Sequence, residues 1–258
     1  MNFLFSTEVT SSKIKSDNAL YQRTFKAYEI VSTLINGNVL EIGCGEGYAI
    51  ELLKQKATSL TLVDKSKSSL QKIKKTHPNL TIYQSRIPPL IQIKDNTFDS
   101  VISFQVIEHI KDYNSYLKEI KRVLKPGGKA YLTTPNKIHT IARNPWHYKE
   151  FSKDELETIT KKHFNQISIL GIEGSIKTEQ YYFNNKKNVS KILKLDVFNI
   201  HKILPRWCLI LPYEFFNRLN RKKLYKTNEN LVNIISSQDY SLADYSTKSL
   251  DLFCVLQK

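Results

Sequence analysis

Three groups of residues in this chain have types and spacings that could do chemistry. The first is Glu41-Ile42-Gly43-Cys44-Gly45-Glu46-Gly47, where an apolar run reaches an acidic residue and then glycines at alternate positions. Glycines so spaced let the backbone turn with positive φ and remove side chains that would hold a ligand away. Downstream, a second apolar run, Leu60-Thr61-Leu62-Val63, ends in Asp64. A carboxylate at the carboxyl edge of a neighbouring strand is placed to accept both hydroxyls of a ribose. Together these residues read as a nucleoside-cofactor site. A dinucleotide is the poorer ligand, because its fingerprint wants the third glycine where this chain has Tyr48. Glu41 is also poor company for a pyrophosphate, and it suits a cation such as a sulfonium bearing an ammonium group.

The second group is His109 and His147. Histidine is the side chain poised to take a proton from a hydroxyl near neutral pH. Glu108 precedes His109, but adjacent helical residues point apart, so the two do not read as a dyad. His147 sits in Asn144-Pro145-Trp146-His147-Tyr148. His77, His139, His163 and His201 read as surface or local structural residues. No His/Cys/Asp spacing suggests a metal site, so none is expected.

The third group lies between Arg206 and Lys223: Trp207, Leu209, Ile210, Leu211, Tyr213, Phe215, Phe216 and Leu219, fringed by Arg206, Arg218, Arg221, Lys222 and Lys223. Such a face either packs on its own domain as a substrate lid or lies on an anionic membrane.

The elements that must position these groups follow from periodicity. Ala19 to Ile35 repeats apolar residues at a helical period. Gly47 to Lys56 and Ser66 to His77 read as crossover helices, with Ser66 an N-cap. Strands are expected at Leu60 to Val63, Leu80 to Gln84, Phe98 to Phe104, Ala130 to Thr134, Gln166 to Gly171 and Leu250 to Leu256. Tyr116, Leu117, Ile120, Val123 and Leu124 share one helix face, and Lys125-Pro126-Gly127-Gly128 ends that helix. Ser152-Lys153-Asp154-Glu155 is a capping box for a helix to about Phe164. Strands alternating with helices of this length imply a parallel sheet with right-handed crossovers. Between Gly174 and Thr247, helices are expected at about Lys187 to Ile203 and Arg206 to Leu224, the second interrupted at Pro212.

Bulk properties narrow the class. With 258 residues and 41% hydrophobic content, the chain suits one large α/β domain with elaborations. Cys44, Cys208 and Cys254 show no Cys-x-x-Cys spacing, which favours a reduced cytosolic protein over a disulfide scaffold. Met1 to Phe5 lacks the basic flank and length of a signal peptide. The net charge of +15 favours acidic partners: nucleic acid, phosphorylated or sugar-nucleotide substrates, or an anionic membrane.

Val39 to Tyr48, Asp64, Phe98-Asp99 and Lys125-Pro126-Gly127-Gly128, in this order, resemble the class I S-adenosylmethionine-dependent methyltransferases. Glu108-His109 after the fourth strand is similar to a broad bacterial branch of that family, the type 11-like methyltransferases. The likeness runs from about Asp17 to Gly174 and resumes near Ser249 to Gln257. It implies a Rossmann-like, doubly wound, seven-stranded α/β sheet whose last strand runs antiparallel. A helical insertion would lie between strands six and seven. Residues 1–174 and 248–258 would form the S-adenosylmethionine-binding domain, and residues 175–247 an inserted helical lid.

The resemblance also implies roles. Glu41, Gly43, Cys44, Gly45 and Gly47 would wrap the methionine part and the ribose, and Asp64, with Lys65 beside it, would bind the ribose. The acidic residue that usually meets the adenine amino group is missing after strand three. Gln84 or Ser85 would accept that hydrogen bond instead, with Ile87 packing on the ring. The backbone at Phe104-Gln105 would lie against the cofactor, and the His147 loop would contact the acceptor. No Asn/Asp-Pro-Pro-aromatic tetrapeptide and no Pro-Cys pair appears, which counts against methylation of nucleic-acid bases. The expected activity is methyl transfer, with oxygen the favoured atom, to a small-molecule, glycan or lipid-linked acceptor. Relatives with such a loop and insert look like those of cell-surface glycan or quinone-type metabolism. An RNA methyltransferase and a non-catalytic cofactor-binding protein are the rivals. The expected place is the cytoplasm, with peripheral contact at the inner face of the membrane through the insert.

Overall fold

The computed structural model describes residues 10–194, 196 and 203–258. Met1 to Phe5, His201 and part of the expected helix Lys187 to Ile203 lie outside the described residues. The first half of the chain alternates helix and strand. Helix α1 (Asn18–Ser32) leads to β1 (Asn38–Ile42), α2 (Ile50–Lys54), β2 (Ser59–Asp64), α3 (Lys67–Thr76) and β3 (Thr81–Gln84). Then come β4 (Phe98–Phe104), α4 (Tyr113–Val123), β5 (Leu124–Pro135), α5 (Lys153–Lys161) and β6 (Gln166–Gly174). The region after β6 holds α6 (Ile176–Leu193), α7 (Arg206–Thr227), α8 (Glu229–Ile234) and β7 (Tyr240–Asp244), and β8 (Asp251–Gln257) closes the chain.

All eight strands form one sheet in the order β3-β2-β1-β4-β5-β8-β6-β7. The five strands from β3 to β5 pair in parallel, and β8 runs antiparallel between β5 and β6. The sheet is therefore Rossmann-like and doubly wound, with the reversed final strand that the family resemblance implies. It has eight strands rather than seven, because Tyr240–Asp244 adds an antiparallel edge strand to β6. That strand presents only Tyr240 as a fully buried residue, too little alternation to announce itself.

Both sheet faces are covered, which is why the inner strands read as unbroken apolar runs. On one face α4 buries Tyr116, Leu117, Ile120 and Val123. Each such side chain stabilises the fold by about 1.5–3 kcal/mol. Asp112 caps that helix by accepting from Ser115 N at 3.0 Å. The capping box at Ser152 and Glu155 is complete and opens α5 on the same face. The opposite face packs α1, α2 and α3 together with Tyr181, Leu224 and Val232 from the region after β6.

Several expected boundaries change: β5 begins at Leu124 rather than Ala130, and β6 runs on to Gly174 rather than Gly171. Helix α2 begins at Ile50 rather than Gly47, because Gly47 sits at φ 70° in a left-handed turn. Helix α6 begins at Ile176 rather than Lys187; its polar first turns gave no apolar period to read. Helix α7 continues through Pro212, so the proline removes one N–H donor without ending the helix.

Candidate active site

At the carboxyl ends of β1 and β2 the chain forms a tight acidic cradle. Gly43, Gly45 and Gly47 all have positive φ, at 78°, 53° and 70°. At Gly43 a Cβ would stand 2.4 Å from Val106 Cγ2, so glycine is required there for space as well as for conformation. Asp64 Oδ2 accepts from Gly45 N at 2.9 Å and Asp64 Oδ1 accepts from Ser66 N at 2.7 Å, tying the glycine turn to the end of β2. An ionised carboxylate has about four acceptor positions, so two backbone bonds leave room for hydroxyl donors. Cys44 is buried within the turn.

Glu41 is 2% exposed, and Tyr28 donates to its Oε1 at 2.6 Å. Its Oε2 is buried and has no hydrogen-bond partner among the described residues. Burial pushes the carboxyl up to about 7, against the Tyr28 hydrogen bond and with Asp64 adding to the rise. A buried carboxylate oxygen without a donor suits a cationic ligand. Tyr28, Tyr48 and Phe104 pack edge-on around it, with Phe104 4.8 Å and Tyr48 5.7 Å from the Tyr28 ring.

Gln105 follows β4 at φ 56°, a left-handed conformation that costs a non-glycine residue energy and clusters at functional sites. Its N donates to Thr133 O at 2.9 Å and its Nε2 to Thr133 Oγ1 at 3.3 Å. Lys65 and Gln84 are exposed beyond β2 and β3, and Gln84 Nε2 donates to Lys65 O at 3.5 Å. Ser85 is half-buried next to them, with its N donating to Asp64 O at 3.0 Å.

The two histidines meet. Their rings stand edge to face with centroids 4.8 Å apart, although 38 positions separate them in the chain. His109 Nδ1 lies 3.0 Å from Trp146 O, so it carries the proton and leaves Nε2 as a lone pair. Burial pushes His109 down to about 3, with the neighbouring His147 charge adding, so it is neutral at physiological pH. His147 Nδ1 lies 2.6 Å from Glu150 Oε1, which holds the tautomer with its lone pair on Nε2. That lone pair faces Asn144 Nδ2 at 2.9 Å, and Asn144 is oriented by accepting from Trp146 N at 3.0 Å. Burial pushes Glu150 up, but hydrogen bonds from His147 and Thr140 outweigh it and hold the carboxyl below its usual range.

Glu108, 1% exposed, accepts from Thr134 Oγ1 at 3.0 Å, and burial pushes it up to about 7. Ligand-capable atoms of Glu108, His109 and His147 lie within 4.8 Å of one another. The spacing in sequence showed no such group, because the loop after β5 delivers His147. Glu150 and Asn144 were also missed as partners of His147. Their signal was present as an Asn-x-x-His-x-x-Glu spacing in a loop.

The insert clamps this loop. Trp146 Nε1 donates to Glu214 Oε1 at 2.6 Å, Arg206 Nε donates to Pro145 O at 2.8 Å, and the Arg206 guanidinium stacks 3.6 Å from the centre of the Tyr148 ring. Arg218 and Arg221 do not belong to a basic fringe: both reach the fully buried Asp17 at 3.0 Å, whose charge needs partners. Between loop and insert lies a cavity of about 650 Å³. Asn144, His147 and Glu150 line it from the loop, Val189 and Ile192 from α6, and Leu209 from α7. Of the other histidines, His139 also lines this cavity, His163 lies 3.3 Å from Asn114, and His77 pairs with Glu51 at 3.2 Å.

The doubly wound sheet, the glycine turn and the two strand-end carboxylates define an α/β protein whose strand ends are suited to a nucleoside cofactor. Comparison with known proteins gives the family. Residues 40–132 match the family described as methyltransferase domain. The chain is 33% identical over 127 residues to a probable S-adenosylmethionine-dependent methyltransferase of Mycobacterium tuberculosis, covering 47% of this chain and 46% of that one. It is 30% identical over 172 residues to a probable S-adenosylmethionine-dependent methyltransferase of Mycolicibacterium smegmatis, covering 64% of this chain and 66% of that one. The chain thus spans less than two thirds of either relative's length. The fold of an S-adenosylmethionine-dependent methyltransferase of Thermotoga maritima superposes with a TM-score of 0.56 at 15% identity, covering 93% of this chain and 92% of that one.

Residues 40–132 thus carry a methyltransferase domain, and the chain is similar to the class I S-adenosylmethionine-dependent methyltransferases. The cofactor named for those relatives is S-adenosylmethionine, and the unpartnered Glu41 oxygen and the positive-φ glycines of this chain fit that group's ammonium and close approach.

Proposed function

We propose that this protein transfers a methyl group from S-adenosylmethionine to a hydroxyl oxygen of an acceptor bound in the cavity between the His147 loop and the insert. The observation that carries this reading is the His147–Glu150 pair on the cavity wall. Glu41 holds the cofactor's ammonium, and Asp64 its ribose. Gly43, Cys44, Gly45 and Gly47 wrap it, and Phe104 and Gln105 lie against it. Lys65, Gln84 and Ser85 serve the nucleoside end.

S-adenosylmethionine supplies a methyl carbon already activated for displacement, so the protein's work is positioning and removal of one proton. His147 Nε2 accepts the hydroxyl proton in place of its bond from Asn144, and Glu150 stabilises the imidazolium through Nδ1. His109 stays neutral and keeps the loop in place through Trp146. Residues 1–174 and 248–258 act as the binding domain, and residues 175–247 as the lid that excludes water from the cavity. The acceptor is a small molecule, a glycan or a lipid-linked compound.

Purified protein incubated with methyl-labelled S-adenosylmethionine and a fractionated cell extract tests this. Label is expected in the glycan, lipid or small-molecule fractions. Label confined to RNA would give the protein to the nucleic-acid rival. Cofactor binding without any transfer would speak for a binding protein.

A further inference from the structure

Helix α7 has two apolar sides, and the described fold uses one. Leu209, Tyr213 and Phe216 line the cavity. Trp207, Leu211, Phe215 and Leu219 recur at steps of four and so share a different side. They are 75, 64, 61 and 48% exposed. A contiguous strip of that size is uncommon on a monomer and marks a contact surface. Continuing along the helix, Lys222, Lys223 and Lys226 are exposed. Helix α6, bonded to α7 through Asn185 and Asn220, exposes Lys186, Lys187 and Lys191. Glu214 is the sole acidic residue of α7, and it is buried against Trp146.

An apolar strip beside lysines with no exposed carboxylate on the helix is the make-up of a helix lying at an anionic membrane surface. The net charge of +15 carries the same preference. No helix among the described residues is long and apolar enough to cross a membrane, so the contact is with the surface. The cavity supplies the other half of the argument. Much of its apolar lining comes from α6 and α7, through Val189, Ile192, Leu193 and Leu209, with Leu20, Ile141 and Leu250 adding to it, and the loop after β5 brings Asn144, His147 and Glu150. One helix therefore faces the cavity on one side and solvent on the other. At about 650 Å³ the cavity is large enough for a drug-sized apolar group.

We propose that the outer side of α7 lies on an anionic membrane, and that the acceptor is an amphiphilic lipid whose apolar chain enters between α6 and α7 and whose hydroxyl reaches His147. The word acceptor rests on the methyl-transfer reading; the membrane contact and the lipid uptake do not.

The test measures binding rather than turnover. The full chain is floated with vesicles of phosphatidylcholine alone, and with vesicles containing about one third phosphatidylglycerol. Binding is expected to the anionic vesicles, weakening as salt rises. Replacing Trp207 and Phe215 by Ser should lower it by at least about tenfold. Replacing Lys222, Lys223 and Lys226 by Ala should lower it by about fivefold for each lysine. Those lysines are exposed, so the second variant keeps its fold. Lack of binding to the anionic vesicles, or equal binding by both variants, overturns the membrane contact. So does a dimer in analytical ultracentrifugation that Phe215→Ser dissolves, since a second copy would then cover the strip. A pyrene-labelled long-chain alcohol in the vesicles tests the cavity. Wild type should take it up, and Val189→Trp should not while still floating with vesicles. No uptake by wild type overturns the lipid acceptor. Either failure leaves transfer of labelled methyl to some other acceptor possible, and is therefore distinct from failure of the methyltransferase reading.

Discussion

The carboxylates and glycines of the proposed cofactor end come from one short stretch of chain, Glu41 to Asp64, each set by a strand end or a glycine turn. The proposed acceptor end brings together three separate regions: Glu108, held by Thr134; His147 with Glu150; and Glu214, which accepts from Trp146 of the same loop as His147. The backbone of the first is set mainly by local sequence, with Tyr28 reaching Glu41 from α1. The second exists only after the insert has folded onto the loop, which is where an individual substrate preference is written. Damage to the first should therefore act on cofactor affinity, and damage to the second on turnover.

The sharpest way to break that division is His147→Ala. Loss of a general base typically costs about a hundred- to ten-thousand-fold in rate. The variant should lose kcat by that order while its cofactor dissociation constant, read by calorimetry, stays within about twofold. A large change in cofactor affinity would merge the two ends into one unit. His147→Gln should be as inactive as the alanine variant, because an amide can fill the place but not take the proton.

Asp64→Ala should do the opposite. Charge-assisted hydrogen bonds contribute about 1.5–3 kcal/mol each, so cofactor affinity should fall tenfold or more. Because Asp64 also ties Gly45 to Ser66, the variant should melt at a lower temperature as well. An unchanged dissociation constant would remove Asp64 from the site.

How much of this was legible in the sequence follows the same division. In Val39 to Tyr48 and Asp64 the positive-φ turn and the strand-end carboxylate were legible because a glycine turn is written in consecutive residues, and the strands beside it in apolar runs. The final strand could be expected from Leu250 to Leu256, while its reversal was implied by the family resemblance and not by those residues. By contrast, β7 went unseen since only Tyr240 buries itself fully. The start of α6 went unseen since its sequence is polar through Glu179 and Gln180. At the acceptor end, His147 could be singled out by residue type, but its bond to Glu150 and its meeting with His109 depend on a loop conformation held by Trp146 and Arg206. Arg218 and Arg221 looked like surface charge, and only the structure brings them to Asp17.

A pH titration of cofactor binding sharpens the comparison further. Glu41 has its carboxyl raised to about 7 by burial, so in the free protein it is protonated below that value. The cofactor's ammonium selects the ionised form. Affinity should therefore rise by up to about tenfold per unit as pH increases toward 7, and level off above it. Glu41→Gln should bind more weakly and lose that slope. For stability the sign is reversed. The folded free protein keeps a proton that the unfolded chain releases near its ordinary value, so this residue's share of stability falls as pH rises from about 4.5 to about 7. Saturating cofactor should remove that decline, which differential scanning fluorimetry at several pH values can read.

The smallest expected effect is the response to a chelator, and it tests how the acceptor end works. Glu108, His109 and His147 are close enough to hold a divalent cation. Their hydrogen bonds favour a different use. His147 Nε2 is engaged by Asn144, Glu108 Oε2 by Thr134, and Glu150 holds His147 in the tautomer that a base requires. A base that works through this arrangement has no need of a metal. Methyl transfer by protein dialysed against a strong chelator should therefore stay within about twofold of the untreated rate, a difference of under about 0.5 kcal/mol in barrier. If activity collapsed on chelation and returned with added Mg²⁺ or Zn²⁺, His147 would be a ligand. The proton would then leave from an acceptor oxygen held by the metal, and Glu150→Gln would weaken metal affinity as the loss of a partner behind a ligating histidine does.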